Sequence, residues 1–125
     1  AENIYLGREP LNKLGMVDFR KMHNEAAKIL ERFKFTEDTH KPVSELRVGQ
    51  QQIVEIAKAL SLDVKVLIMD EPTSSLSENE TQILFEQIEE LTSKGVGIVY
   101  ITHKMDELTR LANYVTVLRD GKLIG

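Results

Sequence analysis

The chain has 125 residues, 42% of them hydrophobic and 29% charged, which is the balance of a folded domain and not of a disordered or low-complexity segment. Lys and Arg number 16 against 20 Asp and Glu, and the net charge of −4 argues against a surface that neutralises phosphates, so no nucleic-acid partner is expected. Cysteine is absent, which excludes disulfides and thiolate metal sites, and no apolar run approaches the roughly 18 residues of a membrane span.

In chain order, residues 1–17 carry Gly7, Pro10 and Gly15 and read as irregular. Asp18 is placed to cap a helix whose apolar positions are Phe19, Met22, Ala26, Ile29, Leu30 and Phe33. Phe35 to Pro42 reads as a loop, and a helix beginning near Gln51 lines Ile53, Ile56, Ala57 and Leu60 on one face. Val64 to Met69 is a run of strand length. Ser77 and Glu80 form a capping-box pattern ahead of the stripe Ile83, Leu84, Ile88 and Leu91. Ile98 to Ile101 predicts a second strand, Asp106 to Ala112 a short helix, and Val115 to Leu118 a third strand, followed by an Asp120-Gly121 hairpin turn. A helical region followed by βαβαβ implies an α/β fold with a mostly parallel sheet.

Several chemistries are missing. No pair of glycines has the G-x-x-x-x-G-K-[ST] spacing of a phosphate-cradling loop, and Tyr100 stands where a dinucleotide fingerprint starting at Gly95 and Gly97 needs a third glycine. His23, His40 and His103 lack metal-ligand spacing.

Three ordered features remain. Val66 to Met69 runs into Asp70 and Glu71, two carboxylates at the carboxyl end of a buried strand, where α/β proteins gather ligands. There an Asp can hold a hydrated magnesium ion and a Glu can deprotonate water, although acidic residues also mark where a strand leaves the core. Leu46-Arg47-Val48-Gly49-Gln50 precedes a helix, where backbone N–H groups suit an anion, although a loop with glycine near a cap has the same look. Thr102-His103 follows the second strand, where a histidine can reach a phosphate or simply sit on the surface.

Together these features resemble the ATP-binding-cassette ATPases. Leu46–Gln50 is similar to their signature, Val66–Glu71 to their Walker B strand, Ser74–Ser77 to their D-loop and His103 to their switch histidine, in the family's order. Glu2–Pro10, Gln52–Leu60 and Gly97–Met105 further resemble the monosaccharide importers, nearest the galactose/methyl-galactoside type, which fuse two cassettes in one polypeptide. Glu71 together with His103 points to the first of the two.

The resemblance implies a partial P-loop NTPase fold, with residues 1–60 as a helical subdomain and residues 61–125 as the Walker B to H-loop part of the core. It implies that Asp70 holds magnesium through water, that Glu71 is the general base for ATP hydrolysis, and that His103 contacts the γ-phosphate and the attacking water. Leu46, Arg47, Val48, Gly49 and Gln50 would close over ATP held by a second cassette, and Ser74, Ser75, Leu76 and Ser77 would couple the two sites. The implied partners are that cassette, membrane permease subunits and, indirectly, a periplasmic sugar-binding protein. The implied location is the cytoplasmic face of the bacterial inner membrane, as a peripheral subunit.

Departures from the family are Arg47 in place of the signature serine, Val48 in place of a glycine, and Ser77 in place of the D-loop aspartate. A chain that opens on Ala1 and lacks the P-loop is expected to be an internal piece, unable by itself to bind ATP tightly or hydrolyse it, and prone to self-association through uncovered sheet edges. The alternatives are a cassette ATPase serving translation or repair without a permease, and a non-enzymatic coupling or interaction module. The sugar itself is not encoded in these residues.

Overall fold

The computed structural model describes residues 1–62 and 64–125. In chain order it holds α1 (Glu2–Tyr5), α2 (Phe19–Glu31), a 3₁₀ turn (Val43–Glu45), α3 (Val48–Leu60), β1 (Val66–Asp70), α4 (Glu78–Ser93), β2 (Gly97–Ile101), α5 (Met105–Leu111), β3 (Leu118–Arg119) and β4 (Lys122–Leu123). No helix among the described residues is long and apolar enough to cross a membrane.

The helix starts follow local chemistry. The Asp18 carboxylate accepts a hydrogen bond from the Lys21 N–H at 2.9 Å and begins α2. At α4 the Glu80 side chain accepts from the Ser77 N–H at 2.8 Å, while the Ser77 hydroxyl oxygen faces the Glu80 N–H in return.

β1 and β2 pair in parallel, with Val66 opposite Gly97 and Asp70 opposite Ile101, and α4 forms the crossover between them. Leu67 and Met69 point from β1 into an apolar cluster with Ile53, Val54, Ile56 and Ala57 of α3 and Ile83, Leu84, Phe85 and Ile88 of α4. The same cluster takes in Ile4, Ala26, Leu30 and Phe33, so the helical region and the sheet share one core. The opposite face of the strands stays open, with the apolar side chains of Val66, Ile68, Val99 and Ile101 exposed.

Three local expectations are corrected. Residues 1–17 are not wholly irregular: α1 forms because Ile4 is buried at 1% exposure against the core, and an antiparallel bridge joins Leu11 to Val17. The third helix starts at Val48, three residues early, because Arg47 adopts the extended N-cap conformation and its N–H is accepted by the Gln50 side chain at 3.0 Å. Val115 to Leu118 does not extend the parallel sheet. Only Leu118–Arg119 is strand, and Val117 instead exchanges backbone hydrogen bonds with Ile124 and Gly125. The Asp120-Gly121 turn forms as expected, with φ of 52° and 72°, and draws this segment into an antiparallel hairpin.

Leu84 is fully buried, so Leu84→Ala is expected to lower stability by about 2–5 kcal/mol. Leu14, 81% exposed, should tolerate the same change within about 0.5 kcal/mol. Urea denaturation of the two variants checks the contrast.

Candidate functional site

The register of the strand pair brings both carboxyl ends to one edge. The Glu71 N–H continues the ladder by donating to the Ile101 carbonyl at 2.9 Å, after which Glu71 turns away at φ 43°. A non-glycine residue in that left-handed region costs about 1–2 kcal/mol, so neighbouring contacts must hold it. One is the Ser74 N–H, which donates to the Glu71 carbonyl at 3.1 Å. From the other strand end His103 reaches across, and its Nδ1 lies 2.9 Å from Glu71 Oε1. An ionised carboxylate only accepts, so Nδ1 carries the proton in this contact and Nε2 remains for another partner. The His103 and Glu71 side chains are 72% and 50% exposed, and a pair so open to water adds at most about 1 kcal/mol to stability. Asp70 is exposed on the open face of β1 beside them.

Behind this edge lies a cluster that the sequence did not single out. Glu107 of α5 is 2% exposed and Thr73 3% exposed. The Thr73 hydroxyl donates to Glu107 Oε1 at 2.6 Å, while the Tyr100 and Thr102 hydroxyls donate to Oε2 at 2.9 and 2.8 Å. The Lys104 ammonium lies 3.3 Å from Oε1 and also donates to the Thr73 oxygen at 3.1 Å. Burial pushes the Glu107 carboxyl upward, but the hydrogen bonds from Thr73, Thr102, Tyr100 and Lys104 outweigh it and hold the group below the ordinary carboxylate range. Burial and the adjacent Glu107 carboxylate push the Tyr100 hydroxyl far above its usual range. In the sequence Glu107 sits in a polar first turn beside Asp106, so neither hydropathy nor motif marks it as buried.

The segment Leu46–Gln50 is divided between core and surface. Leu46 is 8% exposed and packs in the core, and Arg47 and Val48 face solvent. Gln50 is tied on both sides, its carbonyl oxygen to the Arg47 N–H and its amide nitrogen to Glu37 Oε1 at 3.1 Å. Lys41 donates to the other Glu37 oxygen at 2.7 Å, and these donors hold the Glu37 carboxyl below its ordinary value. Gly49 lies against the Ser74–Ser77 segment: a β-carbon there would sit 2.7 Å from the Ser75 carbonyl oxygen. Within that segment the Leu76 N–H donates to the Thr73 carbonyl at 3.2 Å, and Ser77 is occupied as the cap of α4. The structure thus joins Asp70, Glu71 and His103 at one edge, and sets Gly49 against Ser75.

A parallel β-α-β unit with acidic residues ending one strand and Thr-His ending the next, packed on a helical region, is part of a P-loop NTPase fold. The ABC transporter family model matches residues 1–74, more than half of the sequence, and the chain belongs to that family. It is 50% identical over all 125 residues to the ribose import ATP-binding protein of Rhodopirellula baltica. It is 53% identical, also over its whole length, to a protein of Pseudomonas syringae pv. tomato named for ribose/galactose/methyl galactoside import. The chain spans about a quarter of the length of these relatives, 24% in each case. Among solved structures, a nucleotide-free ATP-binding cassette from an ABC transporter superposes with a TM-score of 0.74 at 26% identity, over 99% of this chain and 53% of that one. A second ATP-binding cassette of an ABC transporter gives 0.71 at 29% identity, over 88% of this chain and 44% of the other.

Gly49→Ala is expected to destabilise by about 1–3 kcal/mol, because its added methyl meets a backbone oxygen and not a side chain that can turn aside. Val48→Ala, at an exposed position on the same helical turn, should be nearly silent. Thermal melts of both variants test the difference, and equal melts would show that the Ser75 contact yields freely.

Proposed function

We propose that the protein to which this chain belongs is the ATP-hydrolysing subunit that powers import of a monosaccharide of the galactose and ribose class. The observation that carries this reading is the carboxyl edge of the β1–β2 pair, where Glu71 and His103 meet at 2.9 Å beside an exposed Asp70. The 50% identity to a ribose import ATP-binding protein supports the substrate class.

The donor set suits magnesium. That ion keeps most of its waters and needs only one or two carboxylates, which the exposed Asp70 and Glu71 at the strand end supply. Asp70 would hold it through water, and when bound it would supply positive charge against the phosphate oxygens of ATP. Glu71 accepts the proton of the attacking water. His103 keeps that carboxylate in place through Nδ1 and turns Nε2 to the γ-phosphate and the water. Binding of the triphosphate draws on the rest of the longer protein, since no P-loop sequence occurs in these 125 residues.

The exposed residues Arg47 and Val48, with Gly49 and Gln50 behind them and Leu46 as their anchor in the core, close over ATP on a second cassette. Ser74, Ser75, Leu76 and Ser77 relay between the two sites, since Gly49 already rests on Ser75. Residues 1–60, the helical part, face the permease, and residues 61–125 carry the hydrolytic edge. The periplasmic sugar-binding protein acts only through the permease. The subunit is peripheral, on the cytoplasmic face of the bacterial inner membrane. Produced alone, the 125-residue chain self-associates through its uncovered sheet edges, beside which Val66, Ile68, Val99 and Ile101 are exposed.

In the full-length protein assembled with its permease, Glu71→Gln is expected to lower the rate of ATP hydrolysis by about 10²–10⁴-fold while ATP still binds. Steady-state phosphate release and a nucleotide-binding titration measure the two quantities. Wild-type turnover in Glu71→Gln would overturn the reading.

A further inference from the structure

Glu107 is a charged group at 2% exposure, and a carboxylate so deeply placed stays ionised only where donors surround it. The arrangement of those donors is informative. Oε1 holds Thr73, two residues beyond Glu71, whereas Oε2 holds Tyr100 and Thr102, the residues that lead up to His103. Lys104, directly after His103, bridges the two sides by reaching both Thr73 and Glu107. The Glu71–His103 contact itself is too exposed to fix its own geometry. The ladder bond from the Glu71 N–H to the Ile101 carbonyl sets the two backbones side by side, and behind the turns that follow the Glu107 carboxylate is bonded to the chain on both sides.

We infer that Glu107 is a positioning residue: one buried carboxylate ties the turn after Glu71 to the turn before His103 and so sets the separation of the two side chains. The inference deepens the proposed function and rests on it. A purely structural role predicts lost stability alone, whereas a positioning role predicts lost turnover in protein that is still folded.

The test uses the full-length protein with its permease, assayed well below the melting temperature of each variant. Glu107→Gln is expected to lower kcat by about 10–100-fold with KM for ATP held within about twofold, since small misplacements of reacting groups cost rate and not binding. Thr102→Val removes one donor and should lower kcat less. Combined with Glu107→Gln it should add little, because both changes break the same network. If Glu107→Gln does not fold, Thr102→Val and Tyr100→Phe carry the same kcat-against-KM comparison.

A crystal structure of Glu107→Gln, or of Thr102→Val in its place, supplies a readout independent of activity: the Glu71–His103 contact should open beyond about 4 Å, the outer limit for such a pair. Unchanged kcat, or a contact still at its present length in that structure, overturns the inference even where the melting temperature falls. Hydrolysis that ignores Glu71→Gln sinks the proposed function instead, and the contact length still decides the role of Glu107.

Discussion

The site depends on the register of two short parallel strands. With Asp70 opposite Ile101, both strands end at the same level, and the Glu71 N–H takes the next ladder position on the Ile101 carbonyl. Side chains alternate faces along a strand, so a slip of one residue would send Asp70 toward the α3 and α4 helices and expose Leu67 and Met69. The cost of exposing those two side chains, about 1.5–3 kcal/mol each, fixes the register and with it the position of the carboxylates. The hydrophobic core therefore specifies the polar edge, although it contributes no atom to it.

That edge holds groups whose own interactions are weak. Glu71 is in a left-handed backbone conformation, and its contact with His103 is screened by water. Strain at such a position persists only where the surroundings over-determine it. Here the surroundings are unusually polar for an interior: a buried carboxylate, two threonine hydroxyls, a tyrosine hydroxyl and an ammonium, with no buried side-chain polar atom left without a partner among the described residues. A fully satisfied network of this kind is directional where apolar packing is not, so it can fix the angle of two loops that the core fixes only in depth.

How much of this was legible in the sequence depended on the range of the interaction. Asp18, the Ser77–Glu80 pair and Asp120-Gly121 act within four residues of themselves, and all three formed as the local pattern required. The helix starts at Val48 because the Gln50 side chain satisfies the Arg47 N–H, a contact that hydropathy does not mark, since the apolar stripe begins only at Ile53. Val115 to Leu118 has strand composition, but composition does not name the partner, and hydrogen bonds from Val117 to the chain end drew it into a hairpin. Glu107 was illegible for a stronger reason: its partners lie up to 34 residues away, and only the crossover through α4 brings Thr73 and Thr102 together behind it.

The same division by range bears on the unusual Arg47-Val48-Gly49. Of the three, only Gly49 is required by this chain, where the Ser75 carbonyl leaves no room for a β-carbon. Arg47 and Val48 project into solvent at the start of α3, where the Arg47 charge adds only a minor effect on Glu37. Folding makes little demand on either side chain, so other residues at these two positions would leave the fold intact. Their consequence falls on whatever surface approaches the N-terminus of α3, where the helix dipole and the Arg47 guanidinium add with the same sign and favour an anion. A charged contact reaches farther and tolerates looser geometry than a serine hydroxyl does. The start of α3 therefore suits an anion held by charge more than by the tight directional bond that a hydroxyl makes.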